Sequence, residues 1–106
     1  MTVIEFIQSH EAIKNHINCG AVNDEILNIC SFNNNSKRLV TEIVVLSVRI
    51  NRLTQKIRER LNEEHTDELE LDICRLQLKI MQRYLGILEM RASIMEYSEG
   101  EDLCGE

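Results

Sequence analysis

The chain has 106 residues, no proline, no tryptophan and a net charge of −6 at neutral pH. A chain of this length forms one domain with a buried core, and the absence of proline removes the strongest obstacle to long helices. Because only two Phe and two Tyr are present, the chain lacks the aromatic lining that is usual in deep cofactor pockets, and we expect no cofactor.

The pattern of apolar residues predicts two short helices at the start of the chain. The first covers residues 2–17 and begins with a capping box formed by Thr2 and Glu5. The second covers residues 23–32 and is followed by three asparagines, which favour a turn because they tolerate left-handed backbone.

A third helix is predicted over residues 36–61 by a heptad repeat, with isoleucine returning every seven residues and leucine three residues later. Its core stripe has strict 4-3 spacing: Leu39, Ile43, Leu46, Ile50, Leu53, Ile57. The segment LVTEIVVLSV is also compatible with a buried strand. We favour a helix because the 3/4 spacing continues beyond it, and we expect the N-terminal helices to cover its valines.

The fourth predicted helix covers residues 66–97, with Thr66 as its N-cap, and carries two apolar stripes on opposite sides. The a/d stripe is interrupted by Arg83 and consists of Leu69, Ile73, Leu76, Ile80, Ile87, Met90, Ile94 and Tyr97. The b/f stripe consists of Leu71, Cys74, Leu78, Met81, Leu85, Leu88, Ala92 and Met95. A helix that is apolar on two sides must be covered on both.

These elements predict an all-α protein: a long antiparallel, coiled-coil-like hairpin over residues 36–97, with two short helices in residues 1–35. Residues 1–97 would form one helical domain, and the acidic residues 98–106 a disordered tail. We assign the a/d stripe to the core because it matches the Ile/Leu stripe of the third helix. The b/f stripe would complete a bundle by self-association as a homodimer, or bind another protein.

The predicted function is therefore non-enzymatic protein binding, by a small adaptor, a regulator or inhibitor, or a dedicated chaperone. Methionine-rich surfaces adapt readily to another chain. The residues predicted to contact a partner polypeptide or a second copy are Leu71, Leu78, Met81, Leu85, Leu88 and Met95. A structural subunit of a larger coiled-coil complex is an alternative.

Charge is distributed unevenly, since residues 36–61 carry seven Lys/Arg against two acids and residues 62–106 carry twelve acids against four Lys/Arg. Segments of opposite charge tend to face each other. Across the connection we expect Arg58 and Arg60 to approach Asp67, Glu68 and Asp72.

The basic side of the third helix offers an alternative function, in which Arg49, Arg52 and Lys56 contact a polyanion such as nucleic acid. We favour internal charge pairing over nucleic acid because the whole chain is acidic.

Sites for metal or catalysis are poorly supported by the sequence. His10, His16, Cys19 and Cys30 form the one metal-like cluster, but zinc sites use tighter ligand pairs, and we expect no bound metal. No phosphate-binding loop or nucleophile elbow is present, so we expect no enzyme activity.

The cell compartment follows from the termini and the hydropathy. The N-terminus lacks the basic segment and apolar core of a signal peptide. No run approaches the ~18 apolar residues of a membrane span. We expect a cytoplasmic, intracellular protein with no membrane partner and with reduced cysteines.

Overall fold

The computed structural model of the protein describes residues 1–11, 13–15, 35–63 and 67–97. The helices in these ranges are α1 (Val3–Ser9), α2 (Asn35–Leu61) and α3 (Glu68–Ile94). Glu11 and residues 13–15 are also helical, and over the described ranges the β-structure is a single isolated bridge between Thr2 and Glu96. The all-α prediction is confirmed, and LVTEIVVLSV lies wholly within α2.

The long helices α2 and α3 form the predicted antiparallel hairpin. Each has 27 residues and is therefore about 40 Å long at 1.5 Å per residue. Arg60 at the end of α2 pairs with Glu70 at the start of α3. Further from the connection, the Tyr84 hydroxyl donates a hydrogen bond of 2.6 Å to Glu42. This pairing order is that of two helices running in opposite directions.

The start of the chain is joined to the end of α3. Thr2 and Glu5 form the predicted capping box, in which the Glu5 carboxylate accepts from the Thr2 N–H at 2.8 Å. That backbone hydrogen bond lowers the pKa of Glu5. Two backbone hydrogen bonds join this segment to the residues that follow α3. The Val3 N–H donates to the Met95 carbonyl at 2.8 Å, and the Tyr97 N–H donates to the Met1 carbonyl at 2.9 Å.

Several predicted helix boundaries are wrong. The first predicted helix is interrupted at His10, whose backbone is extended, so that α1 ends at Ser9. Asp67 rather than Thr66 caps α3, because its carboxylate accepts from the N–H groups of Leu69 and Glu70. The α3 helix ends at Ile94 because the following residues leave the helix to pair with the N-terminus.

Some predictions concern residues outside the described ranges. The second predicted helix and the acidic tail both lie there. Of the asparagine turn, Asn35 is described and is already helical, as the first residue of α2.

A hydrophobic core fills the end of the hairpin where α1 packs. Its fully buried side chains come from α1, the helical residues after it, α2 and α3: Val3, Ile7, Ile13, Leu39, Val40, Ile43, Val44, Leu88 and Ala92. The prediction that N-terminal residues cover the valine-rich half of α2 is thus confirmed for α1. A second, smaller cluster near the connection joins Ile57 to Leu71 and Cys74.

The assignment of the two α3 stripes is wrong, since the b/f stripe faces the core of the chain. Leu88 and Ala92 are 0% exposed, Leu71 is 6% exposed and Cys74 is 7% exposed. The other predicted partner-binding residues are partly buried: Leu78 against the smaller cluster, Leu85 and Met95 against the larger one, and Met81 beside α2. Leu71 and Leu88 are therefore buried in the core and are not available to contact a partner.

Side-chain size explains the inversion. The valines of α2 recur every four residues, at 40, 44 and 48, and all three are buried. Two of these short branched side chains, Val40 and Val44, pack in one cluster with the small residue Ala92, and Cys74 packs with Ile57 in the other cluster. The a/d stripe has no residue as small as Ala92 or Cys74.

Candidate functional site

The most prominent surface of the protein is the outer side of α3, which we call the α3 apolar face. It consists of Leu69, Ile73, Leu76, Ile80, Ile87, Met90 and Ile94, with exposed fractions between 50% and 84%. These are the a/d positions predicted to be in the core. Tyr97, the last member of that stripe, is instead half-buried and stacks on Phe6 with ring centroids 3.9 Å apart.

The α3 apolar face is one continuous strip of apolar side chains. It runs the length of the helix, about 40 Å, on a cylinder about 10 Å wide, so its contiguous area is about 400 Å² or more. Apolar patches of this size on a folded protein are often functional. At its middle lies Arg83, an exposed residue whose long stem can lie along apolar surface while its charge stays in water.

One flank of this face is connected to α2 by polar contacts. Along it lie Glu70, Gln77, Tyr84 and Arg91, which recur every seven residues. The bond to Glu42 raises the pKa of the Tyr84 phenol, because a proton held between the two oxygens is harder to remove. In the same way, the hydrogen bond to Glu70 raises the pKa of Arg60.

The predicted charge pairing across the connection is confirmed for Arg60, although its partner is Glu70 rather than one of the three carboxylates named above. Asp72 instead lies 3.8 Å from Arg75 on its own helix. The sequence therefore predicted correctly that the end of α2 pairs with the start of α3, but it predicted the wrong carboxylate. Which carboxylate faces Arg60 depends on how α3 is rotated relative to α2.

The predicted polyanion-contact residues come together in space. Arg49, Arg52 and Lys56 line one open cavity of about 270 Å³ between α2 and α3. Its other lining residues are Leu53, Gln77 and Met81. Sequence reasoning missed Gln77, although its place four residues before Met81 puts both on one side of α3.

The metal-like cluster is only partly described. His10 packs edge-on against Phe6, with ring centroids 5.3 Å apart, whereas His16, Cys19 and Cys30 lie outside the described residues. Within the described ranges, no group of three or more His, Cys, Asp or Glu is close enough to hold a metal ion. No helix in those ranges is long and apolar enough to cross a membrane.

The fold and these surfaces define a small all-α hairpin protein with an exposed apolar helix face and a neighbouring cavity lined by cations. Residues 33–94 match the family model described as Sequestin. Since the match covers more than half of the chain, the protein belongs to the Sequestin family. The matched range contains α2 and α3 completely and excludes α1. No curated protein and no solved structure is similar enough to this chain to count as a match.

Proposed function

We propose that this Sequestin-family protein is a non-enzymatic binding protein that holds a partner polypeptide along the α3 apolar face. It would act as a small adaptor, a regulator or inhibitor, or a dedicated chaperone. The observation that carries the proposal is the exposure of seven large apolar side chains on one helix. The match to the Sequestin family model also supports a protein-binding role.

The geometry of the face indicates the kind of partner. Its residues follow 4-3 spacing, so their side chains form a narrow straight seam rather than a broad flat surface. A seam of this kind accepts an amphipathic helix, which places its own apolar residues between those of α3. We therefore expect a helical segment as the bound element.

Affinity purification of the full chain from its native host tests this proposal. Ile80→Asp places a charge on the α3 apolar face, whereas Gln82→Asp places the same charge on an exposed position beside it. A protein that copurifies with the wild type and with Gln82→Asp, but not with Ile80→Asp, supports the proposal. Copurification that is equal for all three chains contradicts it.

A second candidate function is the binding of a small phosphate-bearing molecule in the cation-lined cavity. Guanidinium groups bind phosphate through paired hydrogen bonds, and Lys adds a further positive charge. The volume of about 270 Å³ is close to the lower end of small-molecule sites, about 300 Å³. Leu53 and Met81 supply apolar contact beside the charges. A cavity of this size favours a small anion over a nucleic-acid duplex.

Titration calorimetry with ATP as the probe tests this second candidate. Arg49→Gln and Lys56→Gln should each weaken binding about tenfold or more, since a hydrogen bond to a charged group contributes about 1.5–3 kcal/mol. Lys79→Gln, an exposed position that does not line the cavity, is the matched control. Absence of ATP binding by the wild type, together with salt-sensitive retention on heparin, would favour the nucleic-acid alternative instead.

A further inference from the structure

The α3 apolar face has the geometry of an antiparallel coiled-coil seam that is complementary to itself. In heptad terms Ile73, Ile80, Ile87 and Ile94 are a positions, and Leu69, Leu76, Arg83 and Met90 are d positions. In an antiparallel pair of helices each a residue packs against a d residue of the other helix. Two identical antiparallel helices can pack in this way only if the a and d residues of each helix lie symmetrically about one central point.

On α3 they are placed in this way. Reversing the helix about a point between Met81 and Gln82 matches every d residue with an a residue. The resulting layers are Leu69 with Ile94, Ile73 with Met90, Leu76 with Ile87, and Ile80 with Arg83. No residue of the face is left without an opposite member.

The charges beside the seam agree with the same register. In antiparallel pairs, residues at e positions face each other across the seam, and so do residues at g positions. The register places Glu70 opposite Arg91 of the second copy, and by symmetry this pair occurs twice. Arg60 contacts Oε1 of Glu70, and a carboxylate has two oxygens that accept hydrogen bonds. Glu70 can therefore pair with Arg60 of its own chain and with Arg91 of the second copy at the same time.

A parallel pair is less favourable for two reasons. It would set Arg83 directly opposite Arg83 of the second copy, because d residues then face d residues. Its flanking pairs, such as Asp72 with Gln77, would contain no opposite charges. In the antiparallel register Arg83 lies opposite Ile80, where its stem can cover apolar surface and its charge can reach water.

From this complementarity we infer that the α3 apolar face is occupied by a second copy of the same chain, forming an antiparallel homodimer centred between residues 81 and 82. The inference rests on the proposed role of this face as a binding surface and identifies the helix that it binds. The assembly has four long helices side by side, with the two α3 helices at the centre and one α2 helix on each outer side.

The dimer also completes the wall of the cation-lined cavity. Tyr84 of the second copy lies opposite Gln77, which lines the cavity beside Arg49 and Lys56. The aromatic ring of one copy thus approaches the cationic groove of the other.

Disulfide mapping tests the register in an otherwise unchanged chain. The double variant Leu76→Cys, Ile87→Cys places thiols that face each other between copies in the antiparallel register. Within one helix the two positions are about 16 Å apart, far beyond the 7 Å Cα separation that a disulfide spans. Any bond between positions 76 and 87 therefore joins two chains. Tryptic peptides containing these positions differ from the one containing Cys74, so mass spectrometry identifies each bond.

Sedimentation equilibrium of the wild type and of single variants provides the second measurement. We expect a dimer for the wild type and for Gln82→Asp, and a helical monomer for Leu76→Asp and Ile80→Asp. Circular dichroism verifies that the two Asp variants on the seam remain folded. If they unfold, the disulfide map of the double cysteine variant decides the outcome.

The results separate this inference from the proposed function. A dimer with 76–87 bonds supports the inference. Bonds between 76 and 76 or between 87 and 87 show a parallel pair and overturn it, as does a dimer that Leu76→Asp and Ile80→Asp do not weaken. A monomeric wild type also overturns it, yet leaves the proposed function standing if Ile80→Asp still releases a different protein. If the wild type is a monomer and no protein depends on the α3 apolar face for copurification, both the inference and the proposed function are refuted.

Discussion

At the scale of single residues, the hydrogen bond between Tyr84 and Glu42 is the contact that best reports the rotation of α3 relative to α2. Its donor and acceptor are 42 residues apart in sequence and 2.6 Å apart in the fold. Tyr84 lies on the flank between the core and the α3 apolar face, and the bond holds this flank beside Glu42 of α2. Its titration therefore tests whether α2 and α3 are in contact at this point.

The first prediction concerns the pKa of Tyr84. Because donation to the Glu42 carboxylate raises this pKa, Glu42→Gln should lower it towards the ordinary value for tyrosine. The hydrogen bond stabilises the fold while the phenol is protonated, and this contribution is lost as the pH rises through the raised pKa. Ultraviolet absorbance of phenolate in Tyr97→Phe, with and without Glu42→Gln, measures the shift. An unchanged titration would show that the bond is not formed in solution.

At the scale of secondary-structure elements, α3 shows why a heptad repeat alone does not identify the inner side of a helix. Both of its stripes are apolar, and the stripe with the more regular Ile/Leu spacing is the exposed one. Regular heptads are typical of seams between separate helices. The hairpin instead packs through the b/f stripe, where Ala92 meets the α2 valines and Cys74 meets Ile57.

The second prediction compares the two stripes by placing the same charge on each. Leu88 is 0% exposed and Ile80 is 58% exposed. Burying an unpaired charge costs several kcal/mol, comparable to the whole stability of a small domain. Leu88→Asp should therefore unfold the chain, whereas Ile80→Asp should retain its helical circular dichroism. Leu88→Met, which conserves volume, should cost less than about 1.5 kcal/mol and is the matched control.

Urea denaturation followed by circular dichroism gives the free energies for this comparison. The reverse result, in which Ile80→Asp unfolds the chain and Leu88→Asp does not, would restore the stripe assignment made from sequence. Unfolding by both would mean that the chain folds only when the α3 apolar face is covered, and the disulfide map then distinguishes cover by a second copy from cover within the same chain.

At the scale of the whole molecule, the sequence was sufficient for the helical hairpin and the cover that α1 provides. Absence of proline, heptad spacing and a short connection are local properties, and they survive any rotation of the helices. The sequence was insufficient for the choice between the two α3 stripes and for the pairing of Arg60 with Glu70. Both depend on how one helix is rotated against another, which follows from side-chain volumes on two elements at once.

The cation-lined cavity illustrates the same limit. The sequence indicated the basic row of Arg49, Arg52 and Lys56, because these residues share one side of a helix. It did not indicate that Gln77 and Met81 close the row into a cavity of about 270 Å³. That wall exists only once α3 is packed with its b/f stripe towards α2.

The last prediction concerns the stability of the assembled protein. If two chains associate through α3, unfolding is coupled to dissociation, and the melting temperature must rise with protein concentration. A tenfold increase in concentration should add about 1.4 kcal/mol of apparent stability per dimer by mass action. For a chain of this size that shifts the melting temperature by a few degrees, about 2–8 °C.

Thermal melts of the wild type, Gln82→Asp and Ile80→Asp at several concentrations measure this dependence. The melting temperatures of the wild type and of Gln82→Asp should rise equally with concentration, because Gln82 lies outside the α3 apolar face. Ile80→Asp should melt at one temperature throughout, since a folded monomer unfolds without dissociating. A wild-type melting temperature that does not change with concentration would show that the chain is stable alone, with its apolar face unoccupied by a second copy.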